Sequence, residues 1–85
     1  MKPAVLLDRV LTGAVENVAF ADAQRLMEAL GFELLRIRGS HHVYGRPGLR
    51  ELVNLQEHRG RAKPYQLRQV AALARRYDLR LVEER

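Results

Sequence analysis

The run Arg36-Ile37-Arg38-Gly39-Ser40-His41-His42-Val43-Tyr44 constrains the fold more than any other part of the chain. Gly39 supplies backbone freedom that a side chain would forbid, and Ser40 can bond its own turn, so the pair marks a reversal. Residues of strand type stand on either side. Leu35 and Ile37 alternate with Arg36 and Arg38 before the turn, the pattern of a half-buried strand, and Val43 and Tyr44 follow it. A reversal between two such runs makes a hairpin. Strand side chains alternate, so His41 and His42 point to opposite faces, and at most one of them lies on a given open face.

What precedes and follows has a different period. Residues 3 to 12 read as a short helix, with Pro3 at a first helical position, Leu6/Val10 and Leu7/Leu11 at i,i+4, and Gly13 just past the end. Residues 13 to 18 read as a loop. A second helix over Phe20 to Leu30 places Phe20, Ala23, Met27 and Leu30 on one stripe, and Gly31 suits its C-terminal boundary. Strands follow over Phe32–Arg38 and His41–Arg46. Pro47-Gly48 marks a turn, and Glu51–Leu55 gives a third strand. Residues 56 to 63 read as a basic loop. Pro64 then opens a helix to about Tyr77 with Leu67, Val70, Ala71, Leu73 and Ala74 inward, and residues from Leu79 form an extended tail.

The order is helix, helix, three antiparallel strands, helix. Helices packed on one face of such a sheet make an α+β two-layer sandwich whose other face is open. The expected organisation is a single domain over 1–85, with a 1–18 extension, a 19–78 core and a 79–85 tail. Leu6, Leu7, Val10 and Leu11 of the first helix pack either on the main core or on another copy of the chain.

Charge is concentrated in the middle. From Arg36 to Arg68 there are eight Lys/Arg against Glu51 and Glu57, a balance of +6, whereas the whole chain carries +5. A localised basic segment is the electrostatic footprint of a nucleic-acid partner. Arg36, Arg38, Ser40, Arg46, Arg59, Arg61 and Lys63 are the candidate phosphate contacts. A titratable imidazole among fixed positive charges points to work on a phosphate-bearing substrate. For His41 the alternatives are a proton-transfer group and a histidine that caps the turn. His58 reads as a surface residue, with a second acid as the alternative, and Tyr44 as core or as a platform for a base.

Other classes are excluded. The chain has no cysteine, so neither disulfides nor a thiolate metal site can form. Two adjacent strand histidines cannot converge on one ion, so the expectation is no metal and no cofactor. No apolar run approaches the roughly 20 residues that cross a bilayer. Asp8 and Arg9 follow Met1-Lys2-Pro3 too closely for a secretory signal, and a cytoplasmic location is expected.

Gly31-Phe32-Glu33-Leu34, followed by Arg38-Gly39-Ser40-His41-His42-Val43-Tyr44, resembles the signature of HicA toxins of bacterial toxin–antitoxin systems. Lys63-Pro64 leading into Leu67-Arg68 resembles that family's entry into its last helix. The resemblance spans roughly Phe20 to Leu79. It departs from the family in the additional N-terminal helix and in Tyr65-Gln66, where a Gly-Thr pair is usual. It implies a fold like the double-stranded-RNA-binding domain, cleavage of mRNA by a strand histidine, and neutralisation by a HicB-like antitoxin. His41 is the position it points to for catalysis, with His42 as the alternative. Two other functions remain: a non-catalytic RNA-binding module on the same platform, and a domain whose basic face meets an acidic protein.

Overall fold

The computed structural model describes residues 1–82. Helix α1 runs Pro3–Leu11, α2 Phe20–Ala29 and α3 Pro64–Arg76, and the strands are β1 Glu33–Arg38, β2 His41–Gly45, β3 Val53–His58 and β4 Arg61–Ala62. The strands form one antiparallel sheet in the order β1-β2-β3-β4. All three helices lie on one side of it, which is the expected α+β two-layer sandwich. From α2 to α3 the arrangement is consistent with a sandwich like the double-stranded-RNA-binding domain, helix, three strands, helix, to which the two-residue β4 and the preceding α1 are added.

Each helix is set by its apolar spacing. Phe20, Ala23, Leu26 and Met27 are the buried face of α2, and Leu67, Val70, Ala71, Leu73 and Ala74 that of α3. Gly31 takes φ +89° after α2, a conformation that L side chains rarely adopt, and so ends the helix cleanly. Helix α1 packs on α2 and α3, with Leu6 and Val10 buried and Leu7 and Leu11 half-buried against the same core. Of the two alternatives for this helix, the main core takes it.

Three readings of the strands are corrected. The third strand begins at Val53 and ends at His58, two or three residues later than expected at each end. The residues read as a basic loop instead contain a hairpin. Arg59 (φ 51°) and Gly60 (φ 78°) both take positive φ, as a type I′ turn demands, and β4 returns beside β3. The outer side of β4 is itself covered. Ala62 donates to the Val18 carbonyl, Phe20 to the Gly60 carbonyl, and Ala19 bridges Arg61.

The third correction concerns β1, expected to be half-buried. All six of its residues are exposed. The helix layer covers Tyr44, Val53 and Leu55 but stops short of the outermost strand, leaving Leu34 44% and Ile37 57% exposed. The pairing with β2 also slips between Leu34 and Arg36. Leu35 is the extra residue of a β-bulge and shares the open face with Arg36, so the expected alternation is broken.

Candidate functional site

The open face of the sheet carries the chemistry. His41 lies opposite Arg38 on one side and Gln56 on the other, and Val43 lies between Arg36 and Asn54. These residues share the face away from the helices. Gly39, at φ 59°, closes the turn that places Arg38 and His41 side by side. The His41 ring is half-buried among its neighbours, and its Nδ1 lies 3.0 Å from Asn54 Nδ2 and 3.2 Å from Asn54 Oδ1.

That contact fixes which nitrogen serves a ligand. With Nδ1–H donating to the amide oxygen, Nε2 holds a lone pair and can accept a proton. With the amide turned so that its N–H donates to Nδ1, Nε2 carries the proton instead. In both tautomers Nδ1 is occupied and Nε2 is the working atom.

His42 sits on the other side of the strand. It pairs with Ile37 and Leu55, packs edge to face against the Phe20 ring at 4.8 Å between centroids, and donates from Nδ1 to the Ser40 carbonyl over 3.3 Å. Ser40 also accepts from the Glu57 N–H through the same carbonyl. Strand alternation therefore separates the two histidines as the sequence requires.

The remaining candidates divide. Arg36 and Arg38 are exposed on the face of His41. Antiparallel order brings the β3–β4 turn to the same end of the sheet as Gly39-Ser40. There His58, Arg59, Arg61 and Lys63 line a cleft of about 290 Å³ together with Glu16 and Asn17. Arg61 is held in place by donating to Asn17 Oδ1 over 3.0 Å. Arg46 stands apart. Its Nε donates to the Leu30 carbonyl at 2.9 Å, satisfying the last turn of α2. Tyr44 is only 1% exposed beneath the helices, so of its two readings core packing holds, and burial raises its hydroxyl above the ordinary value.

The other end of the open face is apolar. A Cβ added at Gly45 would lie 2.8 Å from Leu35 Cδ1 and 3.2 Å from Leu52 Cδ2, so the two leucines close over the glycine. Sequence reasoning missed Asn54. An asparagine alternating with Val53 and Leu55 signals only that it faces away from the core, and its partner depends on register. Among the described residues, no group of three His, Asp or Glu side chains converges to hold a metal ion, and no helix is long and apolar enough to cross a membrane.

A family model described as HicA toxin of bacterial toxin–antitoxin matches residues 20–75, from the start of α2 into the last turn of α3. No curated protein and no solved structure matches the chain.

Proposed function

The chain belongs to the HicA toxin family, and on that premise we propose that it is an mRNA-cleaving endoribonuclease that works without metal and is neutralised by a HicB-like antitoxin. The observation that carries the reading is the placement of His41. Its imidazole stands on the open, basic face with Nδ1 held by Asn54, while Arg38 lies opposite it on β1 and Arg36 follows on the same face, opposite Val43.

RNA brings its own nucleophile. Nε2 of His41 accepts the proton of a 2′-hydroxyl as that oxygen bonds to the adjacent phosphorus, and the bond from phosphorus to the 5′ oxygen breaks. The departing oxygen takes a proton from the imidazolium or from water, leaving a cyclic phosphate and a 5′-hydroxyl. Proton transfer of this kind contributes about 10²–10⁴-fold in rate. Arg36 and Arg38 hold the phosphate and stabilise the charge that develops on its oxygens. The cleft at Arg59, Arg61 and Lys63, at the same end of the sheet, takes a neighbouring phosphate of the strand.

The test is cleavage of RNA and growth arrest on expression, measured for the native chain and for His41→Ala. Both are lost in the variant, and the native activity persists in a chelator. Binding of RNA with no cleavage by the native chain would instead identify a non-catalytic RNA-binding module on the same face.

A further inference from the structure

Strand β1 is an open edge. The opposite edge of the sheet is covered, because β4 bonds to residues 17–20, whereas nothing among the described residues lies outside β1. Its six residues are all exposed and include three large apolar side chains, Leu34 at 44%, Leu35 at 51% and Ile37 at 57%. An exposed edge of this kind is a template for another strand unless it is blocked. Arg36 and Arg38 block basic partners, but the strand also carries Glu33.

The bulge gives this edge a particular symmetry. Glu33 lies opposite Gly45, and Arg36 opposite Val43, on the open face. Leu35 joins them there, against Gly45, and Arg38 beside His41 completes the set. Leu34 and Ile37, opposite Tyr44 and His42, face the helix side. From Glu33 to Arg38 the faces therefore run open, helix, open, open, helix, open, which reads the same in both directions. A regular strand of six residues cannot do this, because its two ends lie on opposite faces.

The geometry points to β1 as a self-pairing edge, joining two copies of this chain antiparallel about a two-fold axis normal to the sheet. In that register Glu33 faces Arg38 of the second copy, Leu34 faces Ile37, and Leu35 faces Arg36, each pair on a common face. Two Glu–Arg pairs and two Leu–Ile pairs form at once, as a self-complementary contact requires. Opposite charges and apolar pairs directly across a ladder are the stabilising combinations. The two Arg36 side chains meet diagonally and oppose the contact. A single strand pair also buries less than the roughly 1,200 Å² of standard interfaces, so association is concentration-dependent. The sheet would continue through both copies, with the two β2 strands three ladder spacings apart, about 14 Å. Two His41 sites would then share one face.

This pairing is independent of the ribonuclease reading, because its readout needs no RNA. Sedimentation equilibrium of the full chain is measured from micromolar to near-millimolar concentration, with circular dichroism as the check on folding. The native chain moves from the mass of one copy toward that of two. Glu33→Arg and Arg38→Glu each weaken association by about tenfold, because each puts like charges across the axis twice. The double variant, Glu33→Arg with Arg38→Glu, restores it. Ile37→Lys, whose exposed position leaves the core intact, also gives one copy. A native chain that keeps the mass of one copy throughout overturns the proposal, as does a double variant that associates no better than the single ones.

Discussion

Nδ1 of His41 on β2 lies 3.0 Å from the side-chain nitrogen of Asn54 and 3.2 Å from its oxygen, across one step of the ladder to β3. A hydrogen bond to one ring nitrogen occupies Nδ1 in either tautomer and holds the ring plane, so Asn54 decides how Nε2 meets a ligand. Asn54→Leu is expected to lower the cleavage rate by about tenfold, near 1.4 kcal/mol, the scale of one hydrogen bond. Asn54→Asp replaces the amide with a negative charge that favours imidazolium, so the acid limb of the pH–rate profile moves to higher pH. Rates and profiles equal to those of the native chain would remove Asn54 from the mechanism.

The two histidines are expected to separate function from stability. His41→Ala removes a half-buried side chain of the open face, so it abolishes cleavage with little change in thermal unfolding. His42→Ala removes an edge-to-face partner of Phe20. It is expected to cost about 1–2 kcal/mol and to lower the melting temperature by several degrees while cleavage remains. Cleavage that fails in His42→Ala and survives His41→Ala would transfer the role.

RNA affinity is expected to fall steeply with salt, since neutralising phosphates releases counterions. Replacing Arg36 and Arg38 together by Gln lowers the slope of log affinity against log salt by about 1.4, near 0.7 for each phosphate of a single strand that is no longer neutralised. Both side chains are exposed, so the melting temperature stays where it was. An unchanged slope would place the phosphates elsewhere on the surface.

A pH-sensitive tie joins the end of α3 to the connection before β3. The Tyr77 hydroxyl donates to the Glu51 carboxylate at 2.8 Å, with Arg76 3.6 Å away. The hydroxyl bond holds the Glu51 carboxyl below its ordinary value, and the same bond raises the Tyr77 hydroxyl. A lowered carboxyl gives stability that is present above the unfolded-state value and is lost as pH falls through the folded one. A raised tyrosine gives stability that is present below its unfolded-state value and is lost as pH rises through the folded one. Tyr77→Phe should therefore lower stability between these limits and flatten both the acid and the alkaline limb. Urea unfolding from pH 3 to 11 measures it, and parallel curves for the two proteins would show that the tie contributes nothing.

Core truncation should behave differently from any of these. Phe32 is 3% exposed between α2 and β1, and Phe32→Ala is expected to cost about 3–5 kcal/mol in urea unfolding. A loss below about 1 kcal/mol would mean that the core closes around the gap.

Much of this protein was legible in the order of its residues. Local periodicity and punctuation depend on neighbours in sequence, so the three helices, the Gly39-Ser40 reversal and the opposite facing of His41 and His42 followed directly. The localised positive charge did too, because it is a property of composition along the chain. Other features belong to the tertiary structure. The helix layer ends before β1, so a strand that reads as half-buried is exposed on both faces, and no local pattern records where a neighbouring layer stops. The bulge at Leu35 depends on how β1 meets β2, and it overturns the alternation of Leu35 with Arg36. The β3–β4 hairpin turns on Arg59, a residue type that seldom marks positive φ, and it is held by bonds to residues 17–20, far away in sequence. Asn54 meets His41, and Arg46 meets the end of α2, only because pairing register brings together residues 13 and 16 positions apart. Register is a cooperative outcome of the whole sheet packing on its helices, so these partners were decided by the folded structure.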